Sequence, residues 1–246
     1  MNFNDNNAFD LVVARLNKLN RLSSACTAAI AALPFVRESV PADAHIVREG
    51  QMATHCCFLI DGFACRYKVA HDGGRQIASF NMAGDILDLQ HLLLSVADHS
   101  VQTITAATYL RVPSAALRLL TQEHADLAEA LWRDTLIDAS IFREWVLNVG
   151  RRDAKTRIAH MLCEFAVRYQ AAGFGTPERF TLPMTQEHIA DATGLTPVHV
   201  NRTLRVLSES GLIARDGRKI VIADWKRMQQ AADFDPLYLH GAVAVG

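Results

Sequence analysis

Between Thr196 and Arg205 the chain carries Thr196, Val198, His199, Asn201, Arg202 and Arg205 within ten residues of helical character. Such a set matches the edge of a nucleic-acid duplex. An arginine such as Arg202 can grip O6 and N7 of one guanine with two parallel hydrogen bonds, and an asparagine such as Asn201 can pair with adenine. By position, His199 and Thr196 suit phosphates or base edges, and a helix N-terminus itself favours phosphate. Thr185, Gln186, Val198 and Arg205 complete the candidate contact surface on these helices, and Arg218 and Lys219 lie just downstream.

These side chains can act only if the elements around them push them outward. The stretch TQEHIADATGLTPVHVNRTLRVL, from Thr185 to Leu207, predicts two helices interrupted at ATGLTP. A helix-turn-helix needs a small residue where its helices cross, here Ala190, and apolar contacts, here Ile189, Leu195 and Val200. Gly194 can take the left-handed conformation that turns the chain, Thr196 is a good N-cap, and Pro197 a good first helical residue. Thr193 and Thr203 stand where larger apolar residues are usual. The following GLIARDGRKIVIA predicts a two-stranded wing with Arg215, Arg218 and Lys219 near the duplex.

Upstream, residues 9–33 have helical spacing (Phe9, Val12, Val13, Leu16, Leu19, Leu22) until Pro34 breaks it. From about 44 to 112 the pattern is of short strands, HIVREG, CCFLIDG, FACRYKV, QIASF and VQTITAATYLRV, with AHDGGRQ as a hairpin turn. In FACRYKV the alternation sets Phe63, Cys65, Tyr67 and Val69 on one face and Ala64, Arg66 and Lys68 on the other. Together these predict an antiparallel barrel or roll. From Ser114, placed to cap the next helix, the period turns helical, and Asp126 to Val149 forms a long helix that Gly150 ends. Its residues Leu131, Thr135, Asp138, Phe142, Trp145 and Val149 form a coiled-coil-like seam, and Leu136, Ile137, Ile141 and Val146 widen the apolar surface. A helix apolar on two faces must be covered twice, either inside one large domain or by its own roll on one face and a symmetry mate on the other. RRDAKTRIAHMLCEFAVRYQ predicts another helix with Ile158, Met161, Leu162 and Phe165 as its buried stripe, AAGFGTPERF a linker, and the last residues a short helix and a tail.

In this order (roll, long helix, winged helix-turn-helix) the chain resembles the Crp–Fnr family of bacterial transcription regulators. TQEHIADATGLTPVHVNRTLRVLSESGLI is the most specific stretch, DAKTRIAHML looks like the family's hinge region, and the glycines of VREGQ, IDGFA and AGDIL fit its β-roll, over roughly residues 30–225. The resemblance implies an α+β chain with an N-terminal antiparallel β-roll, a jelly roll like that of cyclic-nucleotide-binding proteins, then a dimerisation helix and a C-terminal winged helix-turn-helix. The corresponding segments are 1–33 (helical), 34–125 (roll), 126–150 (dimerisation helix), 151–225 (DNA-binding) and 226–246 (helix and tail). It also implies a cytoplasmic homodimer on a palindromic operator with half-sites about 34 Å apart, RNA polymerase as partner if it activates, and a small-molecule effector or none.

Cyclic-nucleotide-binding members carry Gly-Glu-Leu for the ribose and Arg-Ser or Arg-Thr for the phosphate. Here the stretch is GDILDLQHLLLSVADHSVQ, with Asp88 and Leu89 at the first position and His99-Ser100 at the second. Leucine cannot accept a ribose hydroxyl, and histidine is a pH-dependent phosphate clamp. These four residues remain the candidate effector pocket, and a cyclic-nucleotide-responsive regulator is the alternative within the family. Cys26 stands alone near the N-terminus, where an Fnr-type iron–sulfur cluster would need several cysteines. A cupin-like metalloenzyme would need paired histidines, whereas His45, His55, His71, His91 and His99 are scattered. No G-x-S-x-G or phosphate-binding glycine loop is present. The reading is therefore of a non-enzyme without a cofactor or metal.

Totals agree with that reading. Residues 150–246 carry 13 Lys/Arg against 10 Asp/Glu, the preceding 149 carry 12 against 16, and the net charge of −1 hides this asymmetry. The start, MNFNDNNAFD, has no signal-peptide character, and no apolar run can span a bilayer, so no membrane is expected. The five cysteines, Cys26, Cys56, Cys57, Cys65 and Cys163, show no C-x-x-C spacing and read as buried thiols.

Overall fold

The computed structural model describes residues 8–240; the first seven residues and the last six of the expected tail lie outside them. Two compact units result, one from the described residues 8–68 and 80–138, the other from 69–79 and 139–240.

The first unit opens with two helices, α1 (Asp10–Leu19) and α2 (Ser24–Ala31), where the spacing predicted a single helical segment. Ser23 explains the break, because its hydroxyl accepts the Cys26 amide and starts α2 anew. The strands follow: β1 (Val36–Val40), β2 (His45–Val47), β3 (His55–Asp61), β4 (Phe63–Val69), β5 (Arg75–Met82), β6 (Ser100–Thr103) and β7 (Ala107–Pro113). They form two sheets, ordered β1-β7-β3 and β2-β6-β4-β5. VRESV, which the sequence pattern did not single out, is β1, and VQTITAATYLRV divides into β6 and β7, which fall in different sheets. Gly62 makes possible the sharp corner by which the chain leaves β3 in one sheet and enters β4 in the other: at φ +86, any Cβ there would sit 2.4 Å from the Ala106 carbonyl oxygen.

Both faces of β4 are covered from Ala64 to Tyr67, so Arg66 is buried beside Ala64 on its face, while Val69 is exposed on the other. Arg66 survives burial because it donates to the carbonyls of Leu87 and Ile86 and pairs with Asp138. Helix α3 (Ser114–Glu123) starts at Ser114 itself rather than after it, so Ser114 is not its cap. Helix α4 (Ala125–Arg151) runs through Gly150 instead of stopping there. One core joins Val12 and Leu16 of α1, Cys26 and Ile30 of α2, Phe58 of β3, and Leu127, Ala130 and Leu131 of α4. Arg15 spans Asp85 at 2.8 Å and Asp134 at 2.6 Å.

The second unit is organised around α5 (Ala154–Ala171), capped by Asp153, whose carboxylate accepts the Thr156 amide. Every residue from Ile158 to Val167 is buried, which widens the predicted stripe to the whole circumference. Around it stand β8 (Arg179–Thr181), α6 (Gln186–Thr193), α7 (Pro197–Glu209), β9 (Ala214–Asp216), β10 (Lys219–Val221) and α8 (Trp225–Ala231). The wing is three-stranded, β8-β10-β9, because Phe180, read as part of a linker, pairs with Ile220. After α8 the chain packs back: Phe234 and Leu239 are buried, and Tyr238 stacks on His160.

Candidate nucleic-acid interface

The helix-turn-helix is built by local chemistry. Thr185 caps α6 by accepting the His188 amide, and the His188 ring accepts the Thr185 amide in return. Gly194 closes α6 at φ 65, ψ 35, with its N–H on the Ala190 carbonyl. Thr196 then accepts the His199 amide, and Pro197 occupies the first turn of α7. Ile189, Ala190 and Val200 are buried as the motif requires, while Leu195 is only half-buried. Thr193 and Thr203, the two departures from the usual apolar pattern, are both buried, and Thr193 is satisfied by donating to the Ile189 carbonyl at 2.6 Å.

Inward, α7 commits Val200, Thr203, Leu204 and Leu207 to the unit. Outward it presents Thr196, Val198, Asn201, Arg202 and Arg205, with Val198 81 % exposed and His199 half-buried. Among the described residues Arg202 has no hydrogen-bond or ion-pair partner, so its guanidinium is available. Arg205 is engaged by Glu209 at 2.7 Å. Arg218 and Lys219 are exposed on the wing, as is Arg215. Thr185 is exposed and Gln186 half-buried at the start of α6.

Sequence reasoning missed Arg157. Its guanidinium donates to the carbonyls of Asn148, Arg152 and Thr193, the last at 2.6 Å. It thereby satisfies free carbonyls at the ends of α4 and α6 at once. Nothing local in the sequence marks it, because Thr193 lies 36 positions away.

The candidate effector residues are largely spent on the protein itself. Asp88 is fully buried, accepts the Cys57 amide at 2.6 Å and lies 3.1 Å from His91. Leu89 packs partly against the α1–α4 core. His99 lies 2.8 Å from Asp98 and 3.3 Å from Gln90. Burial, then nearby Arg66, hold the His99 pKa below the ordinary imidazole value despite Asp98. It therefore offers no standing positive charge to a phosphate at neutral pH. Ser100 accepts the Glu49 amide.

On α4 the predicted seam needs correction. Leu131, 4 % exposed, and Trp145 are buried within their own protomer, and Asp138 is paired with Arg66. Side chains covered this way have little surface left to offer a partner. Thr135 and Phe142 are exposed and Val149 is half-buried. The bare apolar surface lies beside it: Trp132 (68 % exposed), Leu136 and Val146 (74 %), joined by Phe142 of the predicted seam.

All five cysteines are buried thiols, as their spacing predicts. Among the described residues no helix is long and apolar enough to cross a membrane.

Comparison with known proteins extends this geometry. Residues 37–124 match the pattern of the cyclic nucleotide-binding domain, and residues 156–231 that of the Crp-like helix-turn-helix domain. The chain is 26 % identical over 195 residues to the transcriptional activator protein FnrL of Cereibacter sphaeroides, covering 77 % of each chain. It is 28 % identical over 187 residues to the nitrogen fixation regulation protein FixK of Bradyrhizobium diazoefficiens, covering 76 % of this chain and 78 % of that protein. The solved structure of FixK2 from Bradyrhizobium japonicum superposes with a TM-score of 0.74 at 26 % identity, covering 81 % of this chain and 98 % of that one. With a roll and a winged helix-turn-helix in this order, and relatives spanning both, the chain belongs to the Crp–Fnr family of transcription regulators.

Proposed function

We propose that the protein is a sequence-specific DNA-binding transcription regulator, not an enzyme, and that it acts as a homodimer on a two-fold symmetric operator. The observation that carries this reading is the free edge of α7. Asn201 and Arg202 project to solvent from a helix whose opposite face is fixed by Val200, Leu204 and Leu207. In the major groove Arg202 reads a guanine, Asn201 an adenine, and Thr196 and His199 meet phosphate. Thr185 and Gln186 at the start of α6, Val198 and Arg205 on α7, and Arg218 and Lys219 on the wing flank this contact.

The dimer seam is the stripe of Trp132, Leu136, Phe142 and Val146, since large apolar side chains aligned on one helix face mark an interaction surface. Two copies of α7 joined this way read half-sites about 34 Å apart. The roll takes an effector other than a cyclic nucleotide, or none, because Leu89 and a neutral His99 stand where ribose and phosphate need an acceptor and a cation. RNA polymerase is the further partner if the regulator activates, and the cytoplasm is its setting.

Selection of bound duplexes from a random pool, with wild type and Arg202→Ala, tests the reading. Wild type should recover a palindrome. The variant should lose roughly 1–3 kcal/mol and one base preference per half-site. An unchanged preference would mean that another surface reads the sequence. Cyclic AMP or GMP at saturating concentration should leave the melting temperature unmoved, since a ligand at 100 times its Kd adds about 2.7 kcal/mol of stability.

A further inference from the structure

Away from the duplex-facing surface, three side chains from two distant parts of the chain converge at the root of α4. They are Cys26 in the first turn of α2, His124 at the C-terminal end of α3 and Asp126 in the first turn of α4. The thiol sulfur, an imidazole nitrogen and a carboxylate oxygen lie within 4.8 Å of one another. We propose that Cys26, His124 and Asp126 form a mononuclear site for a divalent transition-metal ion of the zinc class, with its fourth position open.

The donor set selects the ion. A soft thiolate with an imidazole suits zinc, cobalt or ferrous iron and excludes the all-oxygen cations magnesium and calcium. Thiolate and carboxylate together carry two negative charges, which one divalent ion neutralises. Zinc bonds of about 2.0–2.3 Å set tetrahedral donor–donor separations of about 3.3–3.8 Å. The observed spread therefore closes by about 1 Å, within reach of side-chain rotation, and three protein ligands leave a position for water or an exogenous donor.

The surroundings hold the ligands in place. The Ser23 amide donates to one Asp126 oxygen at 2.7 Å, and the Leu127 amide to the other at 3.0 Å. Asn20 donates to the Asp126 carbonyl, and the Ser23 hydroxyl accepts the Cys26 amide. His124 is fixed through its backbone, donating to Leu120 and accepting from Ala128. Cys26 is buried, whereas His124 and Asp126 are half-buried, so an ion can enter from their side. Because the ligands come from segments about a hundred residues apart, the ion would staple the N-terminal helices to the start of α4. The inference stands independently of how α7 meets DNA.

The test uses the full-length protein, stripped with chelator and titrated with zinc alone or cobalt alone. Wild type should bind one equivalent, gain melting temperature, and in the cobalt form show tetrahedral ligand-field bands with a thiolate-to-metal charge-transfer band. Cys26→Ser should abolish the charge-transfer band, and both Cys26→Ser and His124→Gln should weaken zinc binding at least ~100-fold. Should Cys26→Ser fail to fold, His124→Gln decides, since among the described residues that ring makes no hydrogen bond or ion pair, and the backbone bonds of His124 survive the substitution. Absence of a one-to-one complex in wild type, absence of the charge-transfer band, or undiminished binding in His124→Gln would each overturn the proposal.

Discussion

Replacing Gly194 by alanine isolates the cost of the turn on which the duplex-facing helix depends. Gly194 sits at φ 65, ψ 35, where an L-residue pays about 1–2 kcal/mol. The added Cβ would meet Val149 Cγ1 at 3.6 Å and an Arg157 nitrogen at 3.8 Å, both ordinary contacts, so no clash adds to that figure. Alanine also restricts the unfolded chain, which offsets a few tenths of a kcal/mol. A net loss of about 1 kcal/mol is expected for Gly194→Ala, and less for Gly194→Asn, because asparagine tolerates the left-handed region. Urea unfolding of the full chain, followed by circular dichroism, measures it. Against a typical stability of about 5–15 kcal/mol the variant stays folded, so its operator affinity should fall by no more than about tenfold. Equal stability of wild type, Gly194→Ala and Gly194→Asn would refute the left-handed turn. A loss of about 4 kcal/mol would refute the open space around it.

Other outcomes follow from neighbouring features. Arg218→Ala should weaken binding to every duplex alike and lower the slope of log affinity against log salt by about 1, measured by titration at several salt concentrations. Val146→Glu, on a side chain 74 % exposed, should leave the fold intact and shift the dimer toward monomer in sedimentation; by contrast Leu131→Ala should cost about 2–5 kcal/mol of stability. Burial, then Arg152, push the His160 pKa down to about 4 against the pull of Glu144, so folding keeps this ring neutral. Between pH 6.5 and 4 the unfolded chain takes up a proton that the folded chain refuses, so stability present above that window is lost as pH falls through it. The loss is about 2 kcal/mol from pH 7 to pH 5. Burial raises the pKa of neighbouring Glu164, which works in the opposite sense. Comparing urea midpoints of wild type and His160→Gln at both pH values cancels that contribution. Equal losses in the two proteins would refute the assignment to His160.

What could be read in advance was what is decided locally. Thr185, Gly194, Thr196 and Pro197 each act on backbone groups within a few positions, so residue type and spacing suffice to place two helix ends and the turn between them. Ser23 acts just as locally but was overlooked, because the apolar spacing of residues 9–33 continues across the gap it opens. Phe180 was out of reach for a different reason. Its strand exists only through pairing with Ile220, 40 positions on. Arg66 belongs to the same class. Its place in an alternating strand predicts solvent, and only the Asp138 carboxylate and the carbonyls of Ile86 and Leu87, supplied from elsewhere, make burial tolerable. The zinc-class cluster hides equally well, since Cys26 and His124 carry no shared spacing.

Helix α4 shows where periodicity stops being informative. Its pattern fixes the angles between residues, and adjacent residues differ by about 100° around the axis. Two apolar stripes one residue apart, Leu131 with Trp145 and Trp132 with Val146, therefore fit the sequence almost equally well. What separates them is the chemistry each stripe meets. Leu131 joins a core with Val12, Leu16 and Phe58, while the Trp145 indole N–H needs an acceptor and finds the buried Glu164 carboxylate at 3.0 Å. An indole turned outward into an apolar seam would take a donor from that carboxylate, which also meets Tyr238, at 2.8 Å, and Arg168, at 3.8 Å. A buried carboxylate deprived of a donor costs about 1–3 kcal/mol or more. That penalty, set by a residue 19 positions further along the chain, holds the Trp145 indole inward and leaves Val146 exposed.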